Sequence, residues 1–192
     1  MNPQRLAIKL FATRPVARDA LHPFIGIFHR FIQQAVVPGL LIDVADYAHV
    51  PDGPGVILIG HDVDYGIDLA GGRTGLLTTR KHGGDASVAA LFRDTLENAF
   101  AAARAIEADD SSPVRFAADA VEVAFPDRRA APNTVAAFEL ACKELAPVAG
   151  AVFGDAVRFE NEAGSDPRRM LTLRVSGDGA DLAAKLSRLE KC

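Results

Sequence analysis

Hydrophobic and polar positions alternate from Arg5 to Ala12, with Leu6, Ile8 and Leu10 on one side and Ala7, Lys9 and Phe11 on the other, which predicts a strand. From Asp19 the apolar spacing changes to steps of three and four through Leu21, Phe24, Ile25, Phe28, Phe31 and Ile32. That is the period of a core-facing helix, tolerant of Pro23 in its first turn and stopped by Pro38-Gly39. Three strand patterns follow, Leu40 to Ala48, Gly55 to Tyr65 and Leu76 to Lys81, joined by short connectors rich in glycine, proline and aspartate. Such connectors join neighbouring antiparallel strands, so a meander is expected. Asp85 is then read as the cap of a long helix whose apolar stripe runs from Val88 to Ile106.

Asp109-Asp110-Ser111-Ser112-Pro113 breaks the pattern and marks the best linker. Beyond it a strand region covers Val114 to Phe125, with a parity shift near Ala118 to Ala120 that signals a bulge or two separate strands. Asn133 is the expected cap of a helix reaching Val148, Val157 to Glu160 and Met170 to Val175 read as a hairpin, and Gly179 to Lys191 as a last helix. The halves, 1–110 and 113–192, therefore read β-α-β-β-β-α and β-α-β-β-α, either as two units or as one continuous domain. Since amphipathic helices must cover a sheet, the expected class is α+β: a mostly antiparallel sheet covered mainly on one face by four helices, in a ferredoxin-like pair.

Composition adds exclusions. Apolar residues make up 49% of the 192-residue chain, a globular proportion. The first apolar run is short and broken by Lys9 and a proline, so neither a secretory signal nor a spanning helix is expected, and the expectation is a cytoplasmic protein with no membrane partner. The excess of arginine over lysine and the abundance of alanine fit a bacterial source. Cys142 and Cys192 are far apart and lack a CxxC spacing, which argues against both a disulfide framework and a zinc site. A net charge of -4, with no basic stripe carrying interleaved aromatics, gives no reason to expect nucleic acid. No serine sits in a GxSxG elbow.

Candidate chemistry concentrates in one window. Between Arg30 and Arg73 there is no lysine or arginine, yet Asp43, Asp46, Asp52, Asp62, Asp64 and Asp68 supply six carboxylates. Aspartate is poor in strands because its short side chain competes for nearby backbone amides, so its presence in two strand patterns asks for an explanation. One hairpin register sets Asp43 opposite His61, a carboxylate against an imidazole, while a one-residue slip sets Asp43 opposite Asp62. A structural ion pair is one explanation. The functional one is a small polar site in which Asp62 and Asp64 hold a divalent cation such as Mg²⁺ or Ca²⁺, with Tyr47, Tyr65 and Arg73 contacting a small polar ligand. The principal expectation is thus binding of a small polar molecule or cation at the hairpin. The alternatives are an enzyme in which His61 is a general base oriented by Asp43, and a self-assembling, homodimeric interaction protein.

Overall fold

The computed structural model describes residues 1, 3–50 and 53–191; Asp52 and Cys192 lie outside the described residues. Chain order is β1 (Leu6–Ala12), a 3-10 turn (Arg18–Leu21), α1 (His22–Gln34), β2 (Leu41–Asp46), β3 (Pro54–Gly60), β4 (Val63–Asp68), a 3-10 turn (Ala70–Gly72), β5 (Gly75–Arg80) and α2 (Val88–Ala108). It continues with β6 (Phe116–Phe125), α3 (Val135–Phe153), β7 (Arg158–Asn161), β8 (Leu171–Ser176) and α4 (Leu182–Leu189). The fold is α+β, and one eight-stranded sheet runs in the order β2-β3-β4-β5-β1-β6-β8-β7 with every neighbouring pair antiparallel.

The first half holds one strand more than its pattern suggested. Gly55 to Tyr65 reads as a single apolar run, but the chain turns back at Gly60 to Val63 and divides it into β3 and β4. Glycine is needed there, because a Cβ at Gly60 would run into the Val63 carbonyl of the returning strand. The sequence Gly-His-Asp-Val at the turn hides this break inside two strongly apolar flanks. Two helix caps also differ by one or two residues: Ser87, not Asp85, accepts from Ala90 N at the start of α2, and Thr134, not Asn133, accepts from Ala137 N at the start of α3.

The parity shift expected near Ala118 to Ala120 falls within a single strand, β6, and the pairing of β1 with β6 is irregular between Leu10 and Ala12, where Ala12 meets Phe116. Alternation then sorts the sheet. Leu6, Ile8 and Leu10 of β1, Val121, Val123 and Phe125 of β6, and Leu171, Leu173 and Val175 of β8 are almost completely buried. They form one cluster with Phe24 and Phe28 of α1, Phe92 and Phe100 of α2, Leu145 and Val152 of α3, and Leu189 of α4. The intervening positions, including Lys9, Phe11, Glu122 and Arg174, project to the other face. Among the described residues no helix is long and apolar enough to cross a membrane.

Candidate functional site

The acidic hairpin spreads its candidate residues apart. Asp43 lies opposite Ile59 and Leu41 opposite Gly60, with a register shift between them, so Asp43 meets neither His61 nor Asp62. Its carboxylate instead accepts from the backbone N–H of Val44 at 2.8 Å. Because β2 is an edge strand, this bond satisfies a main-chain donor where no neighbouring strand is present. His61 sits in the β3–β4 turn with its side chain 64% exposed and its Nδ1 3.1 Å from Asp62 Oδ1. Asp64 accepts from Lys81 Nζ at 2.9 Å and from Gly60 N at 3.1 Å, and so ties the turn to the end of β5.

The two tyrosines part as well. Tyr47 is exposed and lies against the His49 ring, whereas Tyr65 is fully buried and donates to Asn98 Oδ1 at 3.0 Å. Burial pushes the Tyr65 hydroxyl well above the ordinary phenolic range, with the charge of Arg80 acting in the opposite direction. Among the described residues no three His, Cys, Asp or Glu side chains converge to hold a metal ion. Of the residues singled out from sequence, Arg73 is the one placed at a larger cleft.

That cleft grows from β1. Lys9 faces away from the main core yet is only 6% exposed, and its ammonium meets the Asp68 carboxylate, itself 7% exposed, at 2.5 Å. Close packing keeps Lys9 in place: a Cβ at Gly75 would approach the Lys9 stem to 3.0 Å. Two positions along, Phe11 presents its ring, with the Arg73 guanidinium carbon 3.9 Å from the centroid, Arg174 at 5.9 Å and Lys9 Nζ at 5.7 Å. Three cations therefore surround one aromatic face or edge, an arrangement favoured by the ring quadrupole.

Register explains the convergence. Lys9 pairs with Glu122, and Glu122 with Arg174, whose other neighbour is Glu160, making a cross-strand row of alternating charge. Arg73 reaches Glu122 at 3.6 Å from the loop before β5. Arg174 makes no ion pair within 4 Å among the described residues, although glutamates flank it in register. Phe11, Arg73, Thr74, Asp119, Ala120 and Arg174 are among the residues that line a cavity of about 270 Å³, so two guanidinium groups and one carboxylate border it. Thr74 anchors its wall, accepting from Val16 N at 3.2 Å.

A second cavity of about 460 Å³ adjoins the first and shares Arg73 with it. It is lined by Glu122, Arg128, Glu162, Arg168 and Arg169 among others. Arg168 is neutralised by Asp166, which it meets at 3.1 Å and whose carboxyl it holds below the usual range. Arg128 and Arg169 each donate one N–H to a backbone carbonyl, of Arg168 at 2.6 Å and Ala163 at 3.1 Å, and retain their remaining donors. In a chain of net charge -4, this is a local accumulation of guanidinium groups suited to planar, bidentate recognition of oxyanions. No family model matches the chain, and no curated protein matches it.

Proposed function

We propose that the protein binds a small anionic molecule in the cleft where β1, β6 and β8 meet the loop before β5. The reading keeps the small polar ligand expected from sequence and moves its site away from the acidic hairpin. It is carried by one observation: Arg73 and Arg174 both stand at the Phe11 ring beside a cavity, and Arg174 has no ion-pair partner within 4 Å among the described residues. Guanidinium groups stay charged at any physiological pH, so the cleft attracts carboxylate or phosphate without a protonation step. The cation alternative, in which Asp62 and Asp64 bind Mg²⁺ or Ca²⁺, draws less support, because Lys81 already neutralises Asp64. The pairing of His61 with Asp43 as acid and base is likewise less supported, since Asp43 faces Ile59.

The same site bears on the architecture. The C-terminal half, β-α-β-β-α, is a ferredoxin-like β-α-β-β-α-β unit short of its last strand, and the side of β6 left open is taken by β1 of the N-terminal half. Both halves leave a central strand through a helix, reach an outer edge strand and return beside the strand they left. These parallels support reading the sheet as a ferredoxin-like pair with its helices on one face and the ligand on the other.

The test is a thermal melt with added inorganic phosphate and with short carboxylates. A ligand of the native state at about 100 times its Kd adds about 2.7 kcal/mol, enough for a shift of several degrees. Arg174→Ala, which breaks no ion pair, is expected to fold normally and lose the shift. An unchanged melting temperature with every anion, up to tens of millimolar by order of magnitude, would refute the proposal.

A further inference from the structure

We infer that the natural ligand carries two oxyanionic groups joined by a spacer of several atoms, one group in each of the two adjoining cavities. This rests on the anion-binding reading of the cleft and adds its ligand class. The first support is continuity: Arg73 lines both cavities, so a ligand in one is already beside the other. The second is that each cavity holds its own guanidinium donors besides the shared one, Arg174 in the first and Arg128 and Arg169 in the second. Charge already neutralised inside the protein does not count toward a ligand, which removes Lys9 with Asp68, Arg168 with Asp166 and, in part, Arg73 with Glu122. What remains are two separate sets of guanidinium N–H groups. Each matches one carboxylate or phosphate.

Spacing follows from the strand that passes under both cavities. Arg174 lines the first and Thr172 the second, two residues apart on β8, and two residues of strand span about 7 Å. The two cavities are therefore offset along β8 by about that length. An extended chain with an anion at each end spans such an offset, and its second contact is then intramolecular, so the pair binds more tightly than either end alone. Asp119 in the first cavity and Glu122 and Glu162 in the second disfavour a continuous run of negative charge, which favours a neutral spacer over a polyphosphate.

Isothermal titration on the intact protein would compare butyrate and hexanoate with succinate, adipate and suberate, and methylphosphonate with the alkane-1,6-bisphosphonate. The expected result is at least about tenfold tighter binding of adipate or suberate than hexanoate, or of the bisphosphonate than methylphosphonate, with succinate too short to gain. Whichever arm shows the gain identifies carboxylate or phosphate as the recognised group. Arg128→Gln together with Arg169→Gln should bring the dianion down to the level of its monoanion, with the ligand-free melt recorded to confirm folding. Equal affinities for mono- and dianions would overturn the two-group inference and leave anion binding at the cleft standing. Absence of binding by any of these probes would overturn both.

Discussion

Removing the ammonium of Lys9 while leaving Asp68 in place tests whether the buried ion pair beside Phe11 is integral to the fold. Lys9→Met keeps the length and packing of the stem, and so isolates the charge. Both partners are more than nine-tenths buried and in direct contact, so the variant leaves the Asp68 carboxylate buried without its counter-charge. Breaking a buried pair from one side costs about 3–5 kcal/mol, which for a chain of this size lowers the melting temperature by on the order of 10 °C. Asp68→Asn should cost less, because the flexible lysine keeps the nearby Phe11 ring and an amide oxygen as partners. The double variant Lys9→Met/Asp68→Leu removes both charges together and should lie within about 1 kcal/mol of the parent. Urea unfolding of the parent, the double variant and its two component single variants, Lys9→Met and Asp68→Leu, gives the coupling energy directly. A double variant as unstable as the sum of the two single ones would show that the pair contributes no coupling and refute the reasoning.

Two further outcomes follow from other parts of the fold. Lys185 and Arg188 hydrogen-bond the Asp178 carboxyl and hold it well below the ordinary carboxylate range, so its stabilising contribution is present above that range and lost as the pH falls through it. Melting temperature against pH should therefore drop less steeply between about pH 5 and pH 2 for Asp178→Asn than for the parent, and parallel curves would refute this. At the sheet edge, Asp43→Val removes both a charge from β2 and the acceptor for Val44 N–H, next to exposed Leu40 and Ile42. Gel filtration at two concentrations should show the variant self-associating more than the parent, and identical elution would refute the role of Asp43 as an edge guard.

Much of the fold is legible in the pattern of apolar positions. The first strand, the long helix ending at Ala108, the break at Asp109 to Pro113 and the order of elements in the C-terminal half all follow from local periodicity, which depends on residues close in sequence. The missed turn at Gly60 has a local cause of the opposite kind. Apolar flanks on both sides let one run pass for a single strand, and only the close approach of the Val63 carbonyl requires the glycine. Aspartate in a strand was a genuine anomaly, but its resolution in β2 lies in Asp43 bonding the next backbone amide, the bland consequence of a short carboxylate at an edge. Register fixed that outcome, and a single shift between Leu41 and Asp43 removed the pairing with His61.

The cleft was hidden for a different reason, since Phe11, Arg73 and Arg174 are brought together by the pairing of β1 with β6 and of β6 with β8 across most of the chain. One signal did exist. The alternation that buries Leu6, Ile8 and Leu10 leaves Lys9 and Phe11 side by side on the other face, and a strand with a cation and an aromatic there asks what covers them. The answer is supplied by both halves: Arg73 and Thr74 come from the N-terminal one, Ala117, Ala120 and Arg174 from the C-terminal one. Because β1 and β6 are each the strand from which a half begins its helical crossover, their pairing makes the centre of the sheet the place where side chains of the two halves can share a ligand. A ligand bound there would link the halves as well as fill a cavity, so its stabilisation should extend to unfolding of the whole sheet rather than to one edge.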